Sequence, residues 1–544
     1  MAVLRKIWPW LCAALSGALL TLSFPPLDLG GLAFIALIPL LAAVWLSRAR
    51  KRAWLYQLGL GYFSGLVFFT TNFWWLGELA NLYDSFFLKS LPFLISLYLA
   101  LYPALWTCLA GWLARDHFVR QDPDSAPVRL LSSMRNLALA LILAAAWTGL
   151  EWVRGWLFTG FSWNMLGVAL HKEISLIQIA DITGIGGISF LLIACNVTGL
   201  LTILRLKAEI GRIRIRPHFD FSLTALLVAA SFAYGIRAIM TPEKSTQVSL
   251  NVATLQPNIP QLAKMDMAQA GAIFQHLSEL NQQAAASDPG IQLMLWPEAT
   301  IPGGMYGDVE IVKFVKEEAA RGNFALLLGT DDTGPDGVAH NSAALISGEG
   351  KVQMYHKIHL VPFGEFLPFR SILDGPFGSL VPGDFHSGDK PGIFTLDQPP
   401  LLLAPLVCFE DTDGELTRVP VLNGAQLLVN ITNDGWFGKS CEPNQHLNNA
   451  IFRSIETRRP MVRSTNTGLT ASIDTFGRAS IWKPAHIATF VNRTISVPYD
   501  PPITFYTRHG ELFSKVCTAT TIALITLIAI SRRRRTTAES ETRV

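Results

Sequence analysis

The sequence predicts two kinds of fold in one chain. One is a polytopic α-helical membrane domain of about eight transmembrane helices. The other is an α/β domain whose sheets are covered on both faces. Three observations carry this. Half of the 544 residues are hydrophobic and 16% are charged, against roughly 25% charged in soluble domains. Apolar runs of bilayer length recur before residue 240 and once more near the C-terminus. Between them lie short β-rich runs alternating with helix-length stretches.

A bilayer core of about 30 Å takes roughly 20 apolar residues per helix. Seven such spans precede residue 240, at about 8–24, 31–47, 56–76, 91–114, 136–157, 186–205 and 221–239, and an eighth lies at 513–531. Arg5 and Lys6 give the first span the look of a secretory signal. No small-residue cleavage site follows, and a second span begins within a few residues, so it reads as an uncleaved anchor. Arg48, Arg50, Lys51 and Arg52, then Arg115, Arg120, Arg129 and Arg135, then Arg205, Lys207, Arg212, Arg214 and Arg216 mark alternate loops, and the tail "RRRR" (532–535) falls on the same side. Basic loops stay cytoplasmic, so both termini are expected inside and residues 240–512 outside. The chain divides accordingly into 1–240 (membrane), 241–512 (extracytoplasmic) and 513–544 (helix and basic tail).

Two groups near or in the spans are polar. Trp74, Trp75 and Glu78 lie near the outer end of the third span, as an aromatic belt does or as the lining of a lipid path would. Glu151 and Arg154, one turn apart inside a span, can neutralise each other. They are read as an ion pair supporting the loop "TGFSW" in preference to a substrate contact.

A net charge of +3 with scattered basic residues excludes a nucleic-acid surface. Six cysteines are too few and too unevenly placed for a disulfide framework. Cys12, Cys108, Cys195 and Cys517 sit in apolar runs, leaving Cys408 and Cys441 for an aqueous domain, where they could pair in an oxidising compartment.

In the extracytoplasmic segment, "QVSLNVATLQ", "IQLMLWPEA", "FALLLGTDD", "NSAALIS", "LLLAPLVCFED", "AQLLVNITND" and "TASIDTF" read as strands, with helices about 266–286, 308–321 and 444–458 among them. Strands apolar on both faces imply sheets covered on both sides. Costly polar residues end three of these runs. "LMLWPEAT" carries Glu298, "YHKIHLVPFGEF" carries Lys357 and Glu365, and "PLVCFEDT" carries Cys408. Each has an ordinary reading, as a capping Glu, a surface Lys or a small core Cys. Together they fit covalent catalysis. Glu298 would take the thiol proton, Lys357 with a backbone N–H would hold an oxyanion, and Glu365 would fix both. No histidine lies near Cys408 in sequence, and "HKIH" alternates faces, which disfavours a metal site.

Glu in "WPEAT", Lys in "YHKIHLVPFGEF" and Cys in "VCFED" resemble the Glu–Lys–Cys triad of the nitrilase superfamily. "LQPNIPQ" (255–261), "NDGWFGKS" (433–440), "RPMVRSTNTGLTASI" (459–473) and "LEWVRGWLFTGFSW" (150–163) are similar to its apolipoprotein N-acyltransferase branch. The resemblance covers about residues 8–530. It implies a nitrilase-like α-β-β-α sandwich, Cys408 as nucleophile, Glu298 as base and Lys357 as oxyanion stabiliser, with Glu365 and Glu410 in support. Met265, Phe409, Trp436, Trp74 and Trp75 are the expected substrate contacts. It also implies a ping-pong acyl transfer without metal or cofactor. The donor is a phospholipid and the acceptor a diacylglyceryl-modified apolipoprotein, at the bacterial inner membrane, with a monomeric enzyme whose catalytic part is periplasmic. Two positions depart from the family pattern: Phe409 stands where Tyr is common, and Met265 where Trp is.

A tethered amidase or nitrilase would use the same triad but admit water to the thioester. Eight spans are superfluous for a small soluble substrate. A transporter would call for paired repeats or broken midplane helices, and the sequence displays neither. The Gly- and Pro-rich loops 302–308 and 374–390 are expected to move as lids.

Overall fold

The computed structural model describes residues 2–47, 52–119, 128–209, 218–241, 245–305, 308–334, 337–378 and 383–541. Several basic-loop residues used for orientation, and parts of the two expected lid loops, lie outside the described residues. The chain forms two compact units, Met1–Trp74 with Leu91–Ala238 and Glu511–Val544, and Trp75–Ser90 with Ile239–Gly510.

The first unit is helical. Among the described residues, five helices are long and apolar enough to cross a membrane: Phe86–Arg115, Ser132–Arg154, Ile185–Lys207, Phe219–Met240 and Leu512–Arg534. Lys6–Leu22 and Gly30–Leu46 are apolar but shorter, and Ala53–Asn72 is diluted by Gln57, Ser64 and its Thr-Thr-Asn end. The expected second span is broken into a turn Gly30–Phe34 and a helix Ile38–Leu46. Side chains supply the polar partners that the break removes. Asn196 accepts from Leu37 N and donates to Ala33 O, both at 2.8 Å, and Ser16 Oγ accepts from Leu40 N at 2.9 Å. Gly61 faces the helix Leu101–Val119, where a Cβ would meet Pro103 O at 2.5 Å. Such small residues let apolar helices approach closely. A buried Asp220 is held by Arg205 at 2.9 Å and Asn136 at 2.7 Å. Glu151 and Arg154 brace the chain that follows them: Leu166 N donates to Glu151 at 2.7 Å, and Arg154 donates to Trp163 O at 3.2 Å. The loop support read from the sequence runs through these backbone contacts, whereas the expected ion pair is not formed: the two side chains make no salt bridge with each other.

The second unit contains two six-stranded mixed sheets. The first runs β12 (Thr489–Pro498), β1 (Gln247–Gln256), β2 (Leu293–Leu295), β3 (Ala325–Thr333), β4 (Ala339–Ile346), β5 (Val352–His356). The second runs β11 (Ala479–Lys483), β10 (Thr470–Ile473), β9 (Met461–Thr465), β8 (Leu427–Thr432), β7 (Leu401–Val407), β6 (Phe394–Leu396). Strands β1–β3 pair in parallel, as do β7–β9, and the flanking strands are antiparallel.

The strand sequences explain the layering. Leu293 and Leu295 of β2 join Leu403, Val429 and Val462 in a core between the sheets. Met294 and Trp296 point the other way, into a core with Ile273 and Leu277 of helix Ala270–Ser287 and Val315 of helix Val309–Gly322. Both faces being buried, the strands are apolar throughout, and each buried leucine contributes about 1.5–3 kcal/mol. Helices Gly414–Leu422 and Glu442–Thr457 belong to the second sheet's half.

Candidate active site

Three strand ends of the second unit converge. Glu298 follows β2, Lys357 follows β5, and Cys408 follows β7. Glu298 is 6% exposed and Lys357 1%. Unpaired, either charge would cost several kcal/mol, and the network around them removes that penalty. Lys357 Nζ donates to Glu365 Oε1 at 2.8 Å and lies 3.6 Å from Glu298 Oε1. Burial alone would lower the Lys357 ammonium, but the two carboxylates outweigh it and hold the amine charged well above its ordinary value. Asn341 of β4 donates to both carboxylates, at 2.8 Å to Glu298 and 2.7 Å to Glu365. Asn433 N donates to Glu298 Oε2 at 2.9 Å. Strand β3 passes so close that a Cβ on Gly329 would fall 2.5 Å from Glu298 Cα.

Cys408 opens the turn Cys408–Thr412 with φ of +53°. A non-glycine residue is strained there, and such positions hold side chains at functional geometry. Desolvation, then Glu298, push the thiol up to about 12, while Lys357 and His446 pull it down. Burial and Glu298 thus favour the protonated thiol, against the pull of the two cations. Glu410 joins this turn to the Lys357 segment. It accepts from Val407 N at 2.8 Å, Ile358 N at 2.7 Å and Tyr355 Oη at 2.8 Å. Burial raises its carboxyl group, and these donors offset part of that rise.

The remaining expected residues scatter. Met265 is 56% exposed beside the turn Gln261–Lys264. Phe409 is buried, with its ring edge-on to His359 at 5.0 Å. Trp436 is half-buried in the turn Asp434–Phe437. Trp74 belongs to the helical unit and is exposed. Trp75 belongs to the second unit, is buried, donates to Gln445 at 3.1 Å and stacks edge-on with Phe437 at 4.6 Å. A belt position for the pair does not hold for Trp75. Cys408 and Cys441 are both free thiols, which corrects the possible disulfide.

Several participants are absent from the sequence reading. Asn341, Asn433 and Asn430, the last donating to Cys408 O at 2.9 Å, carried one legible signal, since amides in apolar strands are costly unless they have work to do. Lys264 donates to Glu298 O at 3.0 Å, and desolvation lowers its amine to about 8 against the pull of Asp331 and Glu298. His446, far from Cys408 in sequence, is near enough in space for its charge to act on the thiol. Asp434, Glu442 and His446 come close enough to share an ion, but both His446 ring nitrogens already face carboxylates.

The thiol follows a strand of one sheet and the carboxylate and ammonium follow strands of the other, in a segment of the carbon-nitrogen hydrolase class: the carbon-nitrogen hydrolase family model matches residues 251–489. The apolipoprotein N-acyltransferase N-terminal domain matches residues 16–198. The apolipoprotein N-acyltransferase of Geobacter metallireducens is 34% identical, over 96% of this chain and 96% of the relative. That of Rhodopseudomonas palustris is 32% identical, over 97% and 96%. Among solved structures, a carbon-nitrogen hydrolase from Helicobacter pylori G27 matches 45% of this chain and 89% of its own, at 16% identity and a TM-score of 0.36. The chain belongs to the apolipoprotein N-acyltransferase family.

Proposed function

We propose that this chain moves a fatty acyl group from a membrane phospholipid, through a thioester on Cys408, to the α-amino group of the N-terminal S-diacylglyceryl cysteine of an apolipoprotein. The observation that carries the reading is the buried Glu298–Lys357–Glu365 network beside the strained Cys408 turn, in a chain of this family. Glu298 takes the Sγ proton as sulfur attacks the donor's ester carbonyl. Lys357 and a backbone N–H near Cys408 hold the oxyanion, with Glu365 and Glu410 fixing Lys357 and its segment. The ester C–O bond breaks, and the lysophospholipid oxygen leaves with the proton from Glu298. The acceptor amine then attacks the thioester, Glu298 takes its proton, and the C–S bond breaks to return the thiol. No metal or cofactor enters either step.

The lipid substrates explain the helical unit, whose apolar helices fit membrane insertion. Eight crossings partition the chain as 1–240, 241–512 and 513–544, with both termini cytoplasmic and the catalytic part periplasmic at the bacterial inner membrane. A monomer suffices for the chemistry. Met265, Phe409, Trp436, Trp74 and Trp75 are proposed lipid contacts, Phe409 and Trp75 acting through the walls they pack into. The test is the intact mass of the purified full chain after incubation with phospholipid, beside Cys408→Ala. A hydroxylamine-labile gain of one acyl chain, absent in the variant, is expected. No adduct in a preparation that cleaves amides would replace acyl transfer with hydrolysis.

A further inference from the structure

His446, on helix Glu442–Thr457, is 1% exposed and lies between carboxylates on both sides of its ring. Nε2 is 2.9 Å from Asp411 Oδ1, in the turn that Cys408 opens. Nδ1 is 3.1 Å from Asp434 Oδ1, in the turn after β8, and 3.6 Å from Glu442 on its own helix. Arg463 of β9 is fully buried and meets the other Asp411 oxygen. A neutral imidazole carries one N–H, so one of its nitrogens would face a carboxylate oxygen lone pair to lone pair. With Asp411 and Asp434 ionised, the geometry places a proton on each nitrogen, while Glu442, farther off, is held toward its neutral form by burial and by Asp434.

We infer that His446 is a positioning residue for the nucleophile: an imidazolium that ties the Cys408 turn to the Asn433–Asp434 turn and lends its positive charge to the Cys408 thiolate as it forms. The inference rests on reading Cys408 as the nucleophile. The two turns matter together, because Asn433 N holds one oxygen of Glu298, as Asn341 holds the other. One clamp thus registers the sulfur and its base. The surrounding charges agree with this. Burial opposes the His446 proton, but Asp434, Glu442 and the thiol side outweigh it and raise the imidazolium to about 9. Lys357, Lys264 and Arg463 are further cations coupled to the sulfur, while Glu298 and Asp434 oppose ionisation.

The test reads the sign of the charge effect. The probe is iodoacetamide alkylation of Cys408 in the detergent-solubilised full chain at about pH 7, followed by peptide mass and normalised to folded protein by thermal unfolding. Alkylation follows thiolate population, so one pKa unit changes the rate tenfold. His446→Gln, which removes the cation, is expected to slow alkylation about tenfold or more. His446→Lys, which keeps a positive charge at the site, is expected to alkylate at close to the wild-type rate. A clamp without an electrostatic role would slow both variants alike or leave both unchanged, and either result overturns the inference. So does an unchanged rate in His446→Gln alone. If His446→Gln does not accumulate, the wild-type pH profile decides: a rate that rises less than tenfold per pH unit as pH passes through about 9 upholds the inference, and an unbroken tenfold rise removes it. A stoichiometric transition metal in the native protein would also overturn it, since Nδ1 would then be a ligand. Alkylation needs no lipid, so failure here is separable from failure of acyl transfer.

Discussion

Cys408 stands at φ +53°, a region that costs an L-residue roughly 1–2 kcal/mol. Glycine occupies it freely. Cys408→Gly is therefore expected to be more stable than Cys408→Ala by about 1 kcal/mol, although neither forms the acyl adduct. Unfolding in denaturant compares them, and an alanine variant as stable as glycine would remove the strain argument. Lys357 poses the complementary problem. Lys357→Met leaves Glu298 and Glu365 facing each other in a dry site and is expected to lose about 3–5 kcal/mol. Adding Glu365→Gln should return part of that loss without restoring acylation. A double variant less stable than the single one would show that the carboxylates do not repel. His446 gives a pH dependence with a definite sign. Its folded pKa, about 9, exceeds the ordinary 6.5 of the unfolded chain. The stabilisation is thus fully present below about pH 6.5 and is lost as pH rises through 9. Wild type is expected to lose a few kcal/mol across that window, and His446→Gln to lose much less.

At the scale of elements, β3 must run against the Glu298 turn, and Gly329 is where they touch. Gly329→Ala is expected to destabilise by about 1–3 kcal/mol and to slow acylation more than tenfold by moving the base. Full activity at normal stability would mean that the turn can yield. The strands most legible in sequence were central ones: β1 has the bounds of its β-rich run, and β7 and β8, buried almost throughout, fall within theirs. The edge strands β5, β6, β11 and β12 were harder to see, because exposed positions break their apolar pattern; of the four, β12 alone pairs with a strand remote in sequence, β1, while the others pair across short turns. Glu298, Lys357, Glu365 and Cys408 stood out because each ends an apolar run with a costly group. Asn341 and His446 did not, since their worth depends on partners 24 to 43 and 12 to 35 residues away. The broken span Gly30–Leu46 was hidden for a similar reason. Its hydropathy is continuous, and only Asn196, in another helix, tells that the backbone needed help.

For the molecule as a whole, the chain visits its two units in alternation. Residues 75–90 leave the helical sequence to join the catalytic unit, whose remainder spans 239–510. A catalytic fragment beginning near residue 241 would therefore lack Trp75 and leave the Gln445 amide without its indole. Such a fragment is expected to show lower thermal stability than the same unit in the full chain, with recovery on adding a peptide of residues 75–90. Equal stability without the peptide would make that segment dispensable. The same hydrogen bond has a consequence in time. Trp75 and Gln445 are 370 residues apart, and a ribosome adding roughly 5–20 residues per second takes about 20–70 s to cover that distance. Throughout that interval the indole is made and waiting, and the turn Asp434–Phe437 that it steadies does not yet exist. The neighbourhood of Cys408 is thus among the last parts of the nascent protein to be finished, after most of the apolar helices have left the tunnel.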